Sequence, residues 1–244
     1  MQRAREIDRF PFRKARWTYI PTGTPVASGL LIAAPRASWR HEAASCGLTF
    51  QLLQKGYEMG LKKNLRCRGS ATTKIGHASS EPDTCFCSDV PARSVVIEVA
   101  NSESFASVRV KCALWCQLPT MKAVVTVETD TSTNTITVNK VVPEIRDTNT
   151  QVRDTNTQAR DDTQEFPNTN TQSGASLYPR QVASVVIRPA PGVPGAYEVD
   201  PGHDLSIELA YDDLTSEAPP PTGKKDFVLD AKFFCEWAAE VWEE

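Results

Sequence analysis

The sequence predicts an α/β fold in which helices flank a mixed β-sheet and a disordered polar insert interrupts the chain. Apolar residues recur at helical spacing between Trp39 and Met59. The nearly continuous apolar run Val95–Ala100 is typical of a strand that is buried on both faces. Two further β-prone runs surround the sequence Thr-Ser-Thr-Asn at 131–134, which predicts an antiparallel hairpin. A first helix, a buried strand and a hairpin together give an α/β core, and the antiparallel pair makes its sheet mixed.

The first helix has a start signal as well as a periodicity. Ser38 is a suitable N-cap, because its hydroxyl can accept from a backbone N–H of the first turn. The helix is expected to run from about Trp39 to Met59, and Gly56 and Gly60 weaken its end. Its buried stripe contains the apolar residues Ala44, Leu48, Leu52 and Leu53.

The elements after this helix follow in the order strand, strand, strand, helix, hairpin. Ser102 or Ser104 can cap the second helix, which continues through Trp115. The predicted strands are Leu65–Thr73, Thr84–Cys87, Val95–Ala100, Ala123–Glu128 and Thr135–Val141.

A polar repeat separates this core from the rest of the chain. The sequence Arg-Asp-Thr-Asn-Thr-Gln begins at Arg146 and again at Arg153, and a degenerate copy begins at Arg160. The period is seven residues, but the repeat has no apolar a and d positions, so it predicts neither a coiled coil nor a solenoid. We expect this segment to be disordered.

Downstream of the repeat the sequence is again foldable. Runs at 182–188, 196–199 and 205–211 predict strands, and Asp230 can cap a last helix that ends near Glu243. We therefore divide the chain into a basic lead-in (1–24), a core (25–143), the insert (144–174) and a C-terminal part that packs on the core (175–244).

Composition limits the compartment and the partners. At 40% hydrophobic and 23% charged residues a packed core is feasible, and no run approaches the roughly 18 apolar residues that a membrane helix needs. The first residues lack the apolar stretch of a secretory signal, and the number of cysteines, 7, is odd. We expect an intracellular protein, nuclear or cytoplasmic, with reduced thiols and no membrane partner.

The formal net charge of −3 hides an asymmetry. Residues 1–74 carry 14 Lys+Arg and 4 Asp+Glu, a balance of +10, and residues 75–244 carry 13 and 26, a balance of −13. A basic first third could face a phosphate backbone, or it could be a solvated tail without a partner.

Two carboxylates and a lysine carry the candidate chemistry. Asp83 follows Pro82 at a strand entrance, and Glu98 interrupts the apolar run Val95–Ala100. Burying an ionised carboxylate is costly unless a partner is present, and a divalent metal is one such partner. Lys111, on the following helix, could reach back and stabilise charge on a phosphodiester transition state. Two acids and a lysine are the minimum for metal-assisted hydrolysis.

These residues resemble a known family. Pro82-Asp83, then Glu98 in Ile-Glu-Val-Ala-Asn-Ser, then Lys111 on a helix, look like the PD-(D/E)xK restriction-endonuclease-like superfamily, in the endonuclease branch whose lysine has migrated to the helix after the second acid. The usual lysine position is Ala100 here, which departs from the common pattern. The resemblance covers about residues 38–142 and leaves out the repeat and the C-terminal part.

The resemblance implies a restriction-endonuclease-like core and a metal-dependent endonuclease acting on DNA. Asp83 and Glu98 would bind Mg²⁺ or Mn²⁺, Lys111 would be the catalytic cation, and Glu42 or His41 on the first helix would complete or orient the site. The superfamily also implies that the chain could form a homodimer.

Three other interpretations stay open from the sequence. A catalytically degenerate nuclease fold could bind nucleic acid or a protein, because fold does not prove function. A purely structural role would be favoured if Glu98 paired internally with Arg109 or Arg93. A zinc site is conceivable, although no Cys-x-x-Cys pair occurs; its ligands would come from His77, Cys85, Cys87, Cys112 and Cys116.

Overall fold

A computed structural model gives the arrangement of most of the chain. It describes residues 16–21, 29–34, 38–61, 65–69, 72–87, 94–100, 105–147, 175–214 and 226–243. The helices are α1 (Trp39–Glu58), α2 (Phe105–Cys116), α3 (Tyr211–Leu214) and α4 (Ala231–Trp242). The strands are β1 (Arg16–Pro21), β2 (Gly29–Ala34), β3 (Arg66–Cys67), β4 (Thr73–Ile75), β5 (Ala78–Ser80), β6 (Thr84–Cys87), β7 (Val95–Ala100), β8 (Ala123–Asp130), β9 (Thr135–Asp147), β10 (Ala175–Pro189), β11 (Tyr197–Val199), β12 (Ser206–Leu209) and β13 (Phe227–Asp230).

The main sheet has seven strands in the order β11-β10-β9-β8-β7-β6-β3. Strands β7 and β8 pair in parallel, and α2 lies between them in the chain, as a parallel connection requires. The other pairs of this sheet are antiparallel. The predicted class, an α/β core with a mixed sheet flanked by helices, is confirmed.

Alternate residues of β7 face two different cores. Val95, Ile97 and Val99 join a core with the inner side of α1 and with α4, whereas Val96 and Ala100 join a core with α2. Because successive side chains of a strand point to opposite faces, α1 and α2 cover opposite faces of the sheet. The nearly continuous apolar run that predicted a strand buried on both faces is explained by these two layers.

Two smaller sheets complete the described part of the chain. One has four strands in the order β2-β1-β5-β4, and the other pairs β12 with β13 just before α4. Within the residues described, no helix is long and apolar enough to cross a membrane.

Several predicted elements are confirmed at their ends. The Ser38 side chain accepts from the His41 N–H at 3.2 Å and caps α1, and the Asp230 side chain accepts from the Phe233 N–H and caps α4. Strands β6 and β7 have the predicted bounds.

Other boundaries differ from the prediction. Strand β1 lies inside the stretch 1–24 that we expected to be only a lead-in. The strand predicted for 65–73 is two short strands, and Gly69, with a φ of 57°, lies between them. Strand β9 continues to Asp147 and so includes the first residues assigned to the insert. Residues 148–174 and 1–15 lie outside the described residues, so the predicted disorder and most of the basic lead-in are not tested.

A tight contact between α1 and α4 gives a stability prediction. A Cβ added at Gly47 would lie 2.5 Å from Trp237 Cδ1 and 2.6 Å from Trp237 Nε1. We expect Gly47→Ala to lower the free energy of unfolding, because overpacking costs about 1–3 kcal/mol and better helix propensity returns about 1 kcal/mol at most. Urea unfolding measures this, and Gln54→Ala on the exposed side of α1 is the matched control. Equal or higher stability of Gly47→Ala would show that the indole moves at no cost.

Candidate functional site

Glu98 is a buried carboxylate on β7, with 1% of its surface exposed. Its Oε2 lies 3.2 Å from Lys111 Nζ, and its Oε1 accepts from Trp115 Nε1 at 2.7 Å. Both donors come from α2, where the spacing of four residues places them on the same side of the helix. The carboxylate is therefore held at both oxygens by the helix that covers it.

Each charge of the Glu98–Lys111 pair offsets the cost of burying the other. Lys111 is buried as well, and two charges removed from water are compensated by close geometry and by further hydrogen bonds. Removing one partner would leave the other charge buried without its counterion, which is strongly unfavourable. The predicted reach of Lys111 back to the carboxylate is thus present in the structure.

Asp83 connects the sheet to α1. Its Oδ2 accepts from the Val99 backbone N–H at 2.7 Å and lies 3.1 Å from His41 Nε2. The Asp83 and His41 side chains are both buried. Because an ionised carboxylate only accepts, the imidazole donates through Nε2. His41 lies in the first turn of α1, where the exposed N–H groups of the helix favour a nearby negative charge.

The strand register brings the two acids together. Thr84 pairs with Ile97, so one further residue places Asp83 opposite Glu98 on adjacent strands. Their partners differ, because Asp83 bonds to His41 of α1 and Glu98 bonds to Lys111 and Trp115 of α2. The two carboxylates share a register position, and each contacts a different helix.

Glu42 occupies a different environment. Its side chain is 57% exposed, and its Oε1 lies 3.9 Å from His41 Nδ1. Of the two candidates on the first helix, His41 therefore contacts the buried cluster and Glu42 stands at its solvent side.

The donor set determines what the site could hold. Among the residues that the structure describes, no group of three or more His, Cys, Asp or Glu side chains is placed to hold a metal ion. Mg²⁺ is commonly bound by one or two carboxylates with water and substrate phosphate as its other ligands. Asp83 and Glu98 are two carboxylates, so they could contribute only to a site of that incomplete type and not to one closed by protein alone.

The α2 face of the sheet continues as a polar row beside Glu98. Thr126 is the register partner of Glu98 on β8, and Asn139 Nδ2 donates to Thr126 Oγ1 at 3.3 Å. Ser184 Oγ then donates to Asn139 Oδ1 at 2.8 Å. Four adjacent strands, β7 to β10, thus contribute polar side chains at matching positions on one face of the sheet.

Glu128 lies at the end of this face, opposite Ala100 in register. Burial raises the pKa of its carboxyl group, and the nearby Arg109 partly offsets this. Arg109 is thus the charge neighbour of Glu128, and Glu98 pairs with Lys111 instead. Arg93, the other cation considered for Glu98, lies outside the described residues.

The environment of the cysteines on α2 disfavours their thiolate form. Burial raises the pKa of the Cys116 thiol to about 12, and burial together with the charge of Glu98 raises the pKa of Cys112 well above its usual value. On β6 the thiols of Cys85 and Cys87 donate to the carbonyl oxygens of Gly69 and Arg66. These cysteines behave as small buried side chains.

Cys116 gives a pH prediction. Its pKa is about 9 in the unfolded chain and about 12 in the folded protein, so unfolding releases a proton between these values. The contribution of Cys116 is fully present below pH 9 and is lost as the pH rises towards 12. From pH 8 to pH 10 the wild type should therefore lose about 1 kcal/mol more stability than Cys116→Ala. Urea unfolding at both pH values measures this, and parallel losses in the two proteins would contradict it.

Trp115 is the site residue that the sequence analysis missed. The sequence placed it only within the second helix, yet it donates to Glu98. The signal was present, because Trp115 follows Lys111 by four residues and so shares its side of the helix.

Fold and site together define an α/β protein with a mixed sheet in which the interior strand β7 carries a buried, ion-paired glutamate. No protein-family model and no curated protein matches the sequence. A comparison of structures aligns 50% of this chain with 70% of a chain from Anabaena variabilis ATCC 29413 that is described as "a putative nuclease belonging to DUF820". The TM-score is 0.38 and the sequence identity is 17%. Similarity at this level carries no argument about activity.

Proposed function

We propose that the protein is a metal-dependent endonuclease that hydrolyses phosphodiester bonds of DNA. The observation that carries this proposal is the buried Glu98–Lys111 pair at the register position of Asp83. Two acids at one register position, with a lysine paired to one of them, are the residue types that such hydrolysis needs. Charged side chains are seldom buried without a specific role, although structural ion pairs also occur.

The chain's own residues would have distinct roles. Asp83 and Glu98 would present carboxylate oxygens to Mg²⁺ or Mn²⁺, which would supply Lewis-acid activation of water and neutralise phosphate charge. Lys111 would hold a fixed positive charge beside the scissile phosphate. His41 would keep Asp83 oriented through Nε2, and Glu42 would remain at the solvent side of His41.

The charge distribution supports a nucleic-acid substrate. The balance of +10 over residues 1–74 includes Arg66, Arg68 and Lys74, which are exposed near β3 and β4. Exposed cations attract a phosphate backbone without reading its sequence. DNA is the substrate implied by the family resemblance, and many nucleases of that family pair up to cut both strands.

A cleavage assay tests the activity. Supercoiled plasmid is incubated with the wild type, with Glu98→Gln and with the control Glu240→Gln on the exposed side of α4, each with Mg²⁺, with Mn²⁺ and with EDTA. We expect cleavage by the wild type and the control that needs metal, and at least about 100-fold slower cleavage by Glu98→Gln. Equal rates for Glu98→Gln and the wild type, with both folded by circular dichroism, would contradict the proposed role of Glu98.

A second candidate is a catalytically degenerate nuclease fold that binds nucleic acid or a protein. The observation that favours it is the double engagement of Glu98, whose oxygens accept from Lys111 and Trp115, together with Ala100 at the usual lysine position. This candidate predicts DNA binding that falls with salt concentration and no cleavage with any divalent metal. Fluorescence anisotropy with a labelled duplex, run beside the plasmid assay, separates the two candidates.

A further inference from the structure

The outer side of α1 carries a line of exposed apolar residues. Trp39 is 70% exposed, Phe50 68% and Tyr57 60%, and Cys46 between them is exposed as well. At 3.6 residues per turn these four side chains lie within about 40° of one another around the helix. They extend over 18 residues, or about 27 Å, and we call them the outer seam.

The outer seam is separate from the side of α1 that packs on the sheet. The buried side contains His41, Ala44, Ser45, Leu48 and Leu52 and lies on the opposite side of the helix. A surface helix needs one apolar side to cover a core, so α1 has a second apolar side that the core does not use. Exposed apolar surface of this extent marks an interaction site in soluble proteins.

The spacing of the seam indicates a helical partner. Its residues follow one another by seven, four and seven positions, and Ala43 and Leu53, which are half-buried against the core at the edges of the seam, lie at the intervening positions. This gives apolar residues at alternating three- and four-residue steps, the pattern by which two helices pack knobs into holes.

The spacing also indicates that the partner helix is α1 of a second copy of the chain. The order seven, four, seven is the same read in either direction, so a two-fold axis near residue 48 maps the seam onto itself in antiparallel orientation. Trp39 then faces Tyr57 of a second copy, Cys46 faces Phe50, and Ala43 faces Leu53. Small residues meet large ones at the inner positions, as close packing requires.

We propose that the protein forms a homodimer in which the outer seams of two α1 helices pack antiparallel about this axis. The pairing uses a side of α1 opposite the buried cluster of Asp83 and His41, and it does not depend on the proposed nuclease activity. The candidate site of each copy then lies on the side of its α1 that faces away from the dimer interface.

The oligomeric state gives the first test. Light scattering coupled to size exclusion, over a micromolar concentration series, should give twice the chain mass of 26.9 kDa for the wild type. Phe50→Glu should give the mass of one chain, because a dimer would bury the new charge in the seam. A cooperative unfolding transition of this monomeric variant should show that its fold is intact. Val193→Glu, a matched substitution at an exposed apolar residue of another surface, should remain a dimer.

Disulfide capture tests the antiparallel register. In a Cys46→Ser background, Trp39→Cys and Tyr57→Cys chains are oxidised separately and as an equimolar mixture. We expect cross-linked dimers mainly in the mixture, and peptide mapping should join positions 39 and 57 of different chains. Cross-linking of each variant with itself would indicate parallel pairing.

Three results would overturn the proposal. A wild-type monomer throughout the series would do so, whether the seam stays open or is covered by residues 1–15 of the same chain. A dimer that persists in Phe50→Glu would place the interface elsewhere. Parallel or non-specific capture of the cysteine variants would reject the antiparallel two-fold pairing.

Discussion

Replacing Lys111 by Met should lower the free energy of unfolding by about 3–5 kcal/mol. The substitution preserves most of the side-chain volume but removes the cation 3.2 Å from Glu98 Oε2. Glu98 is 1% exposed, so water cannot replace the lost counterion. Chemical unfolding followed by circular dichroism at neutral pH measures the effect.

Two comparisons make the interpretation of this experiment specific. Glu98→Gln combined with Lys111→Met should recover a large part of the stability, because the pair is then neutral and Gln can still accept from Trp115. Lys232→Met removes a cation from an exposed pair with Glu236 and should change stability by less than about 1 kcal/mol. If Lys111→Met and Lys232→Met lowered the free energy of unfolding by the same amount, the buried pair would contribute far less to stability than its geometry indicates.

Replacing Asp83 by Ala should have the second largest effect. The Asp83 carboxylate accepts from the Val99 N–H and from His41, and both donors belong to buried residues. Leaving a buried donor without its acceptor costs about 1–3 kcal/mol, so the two together predict roughly 2–6 kcal/mol. The measurement is the free energy of unfolding in urea.

A second substitution, at an exposed aspartate, serves as the control for the effect of burial at Asp83. Asp204→Ala removes an exposed carboxylate that accepts from the Ser184 N–H at 2.7 Å, a contact of the same type at the surface. Water can satisfy the donor left there, so the loss should be clearly smaller. A loss for Asp83→Ala no larger than that for Asp204→Ala would mean that Asp83 does not hold α1 and β7 together.

The fold was predictable where periodicity and caps are strong. The run Val95–Ala100 predicted a strand buried on both faces because it is apolar at every position except Glu98, and the two cores confirm this. Ser38 and Asp230 predicted helix starts correctly because N-caps depend on local chemistry.

What the sequence did not predict depends on pairing between distant segments. Strand β1 was missed because its neighbours in the sheet, β2 and β5, supply the context that a six-residue run lacks. The sequence indicated Asp83, Glu98 and Lys111 as a group, but it could not show that Asp83 and Glu98 bond to helices on opposite faces. The contact of Trp115 with Glu98 could not be predicted, because the neighbouring sequence does not show which acceptor a buried indole N–H contacts.

The most direct test of the proposed function is a calorimetric titration with Mn²⁺ in the presence of a DNA duplex. It compares the wild type with Asp83→Asn/Glu98→Gln, both folded by circular dichroism. DNA is included because its phosphate oxygens can complete a metal site that has only two protein carboxylates. We predict saturable binding by the wild type that disappears in the double variant. Binding of the same strength in both proteins, or no binding in the wild type with DNA present, would contradict a metal site at Asp83 and Glu98.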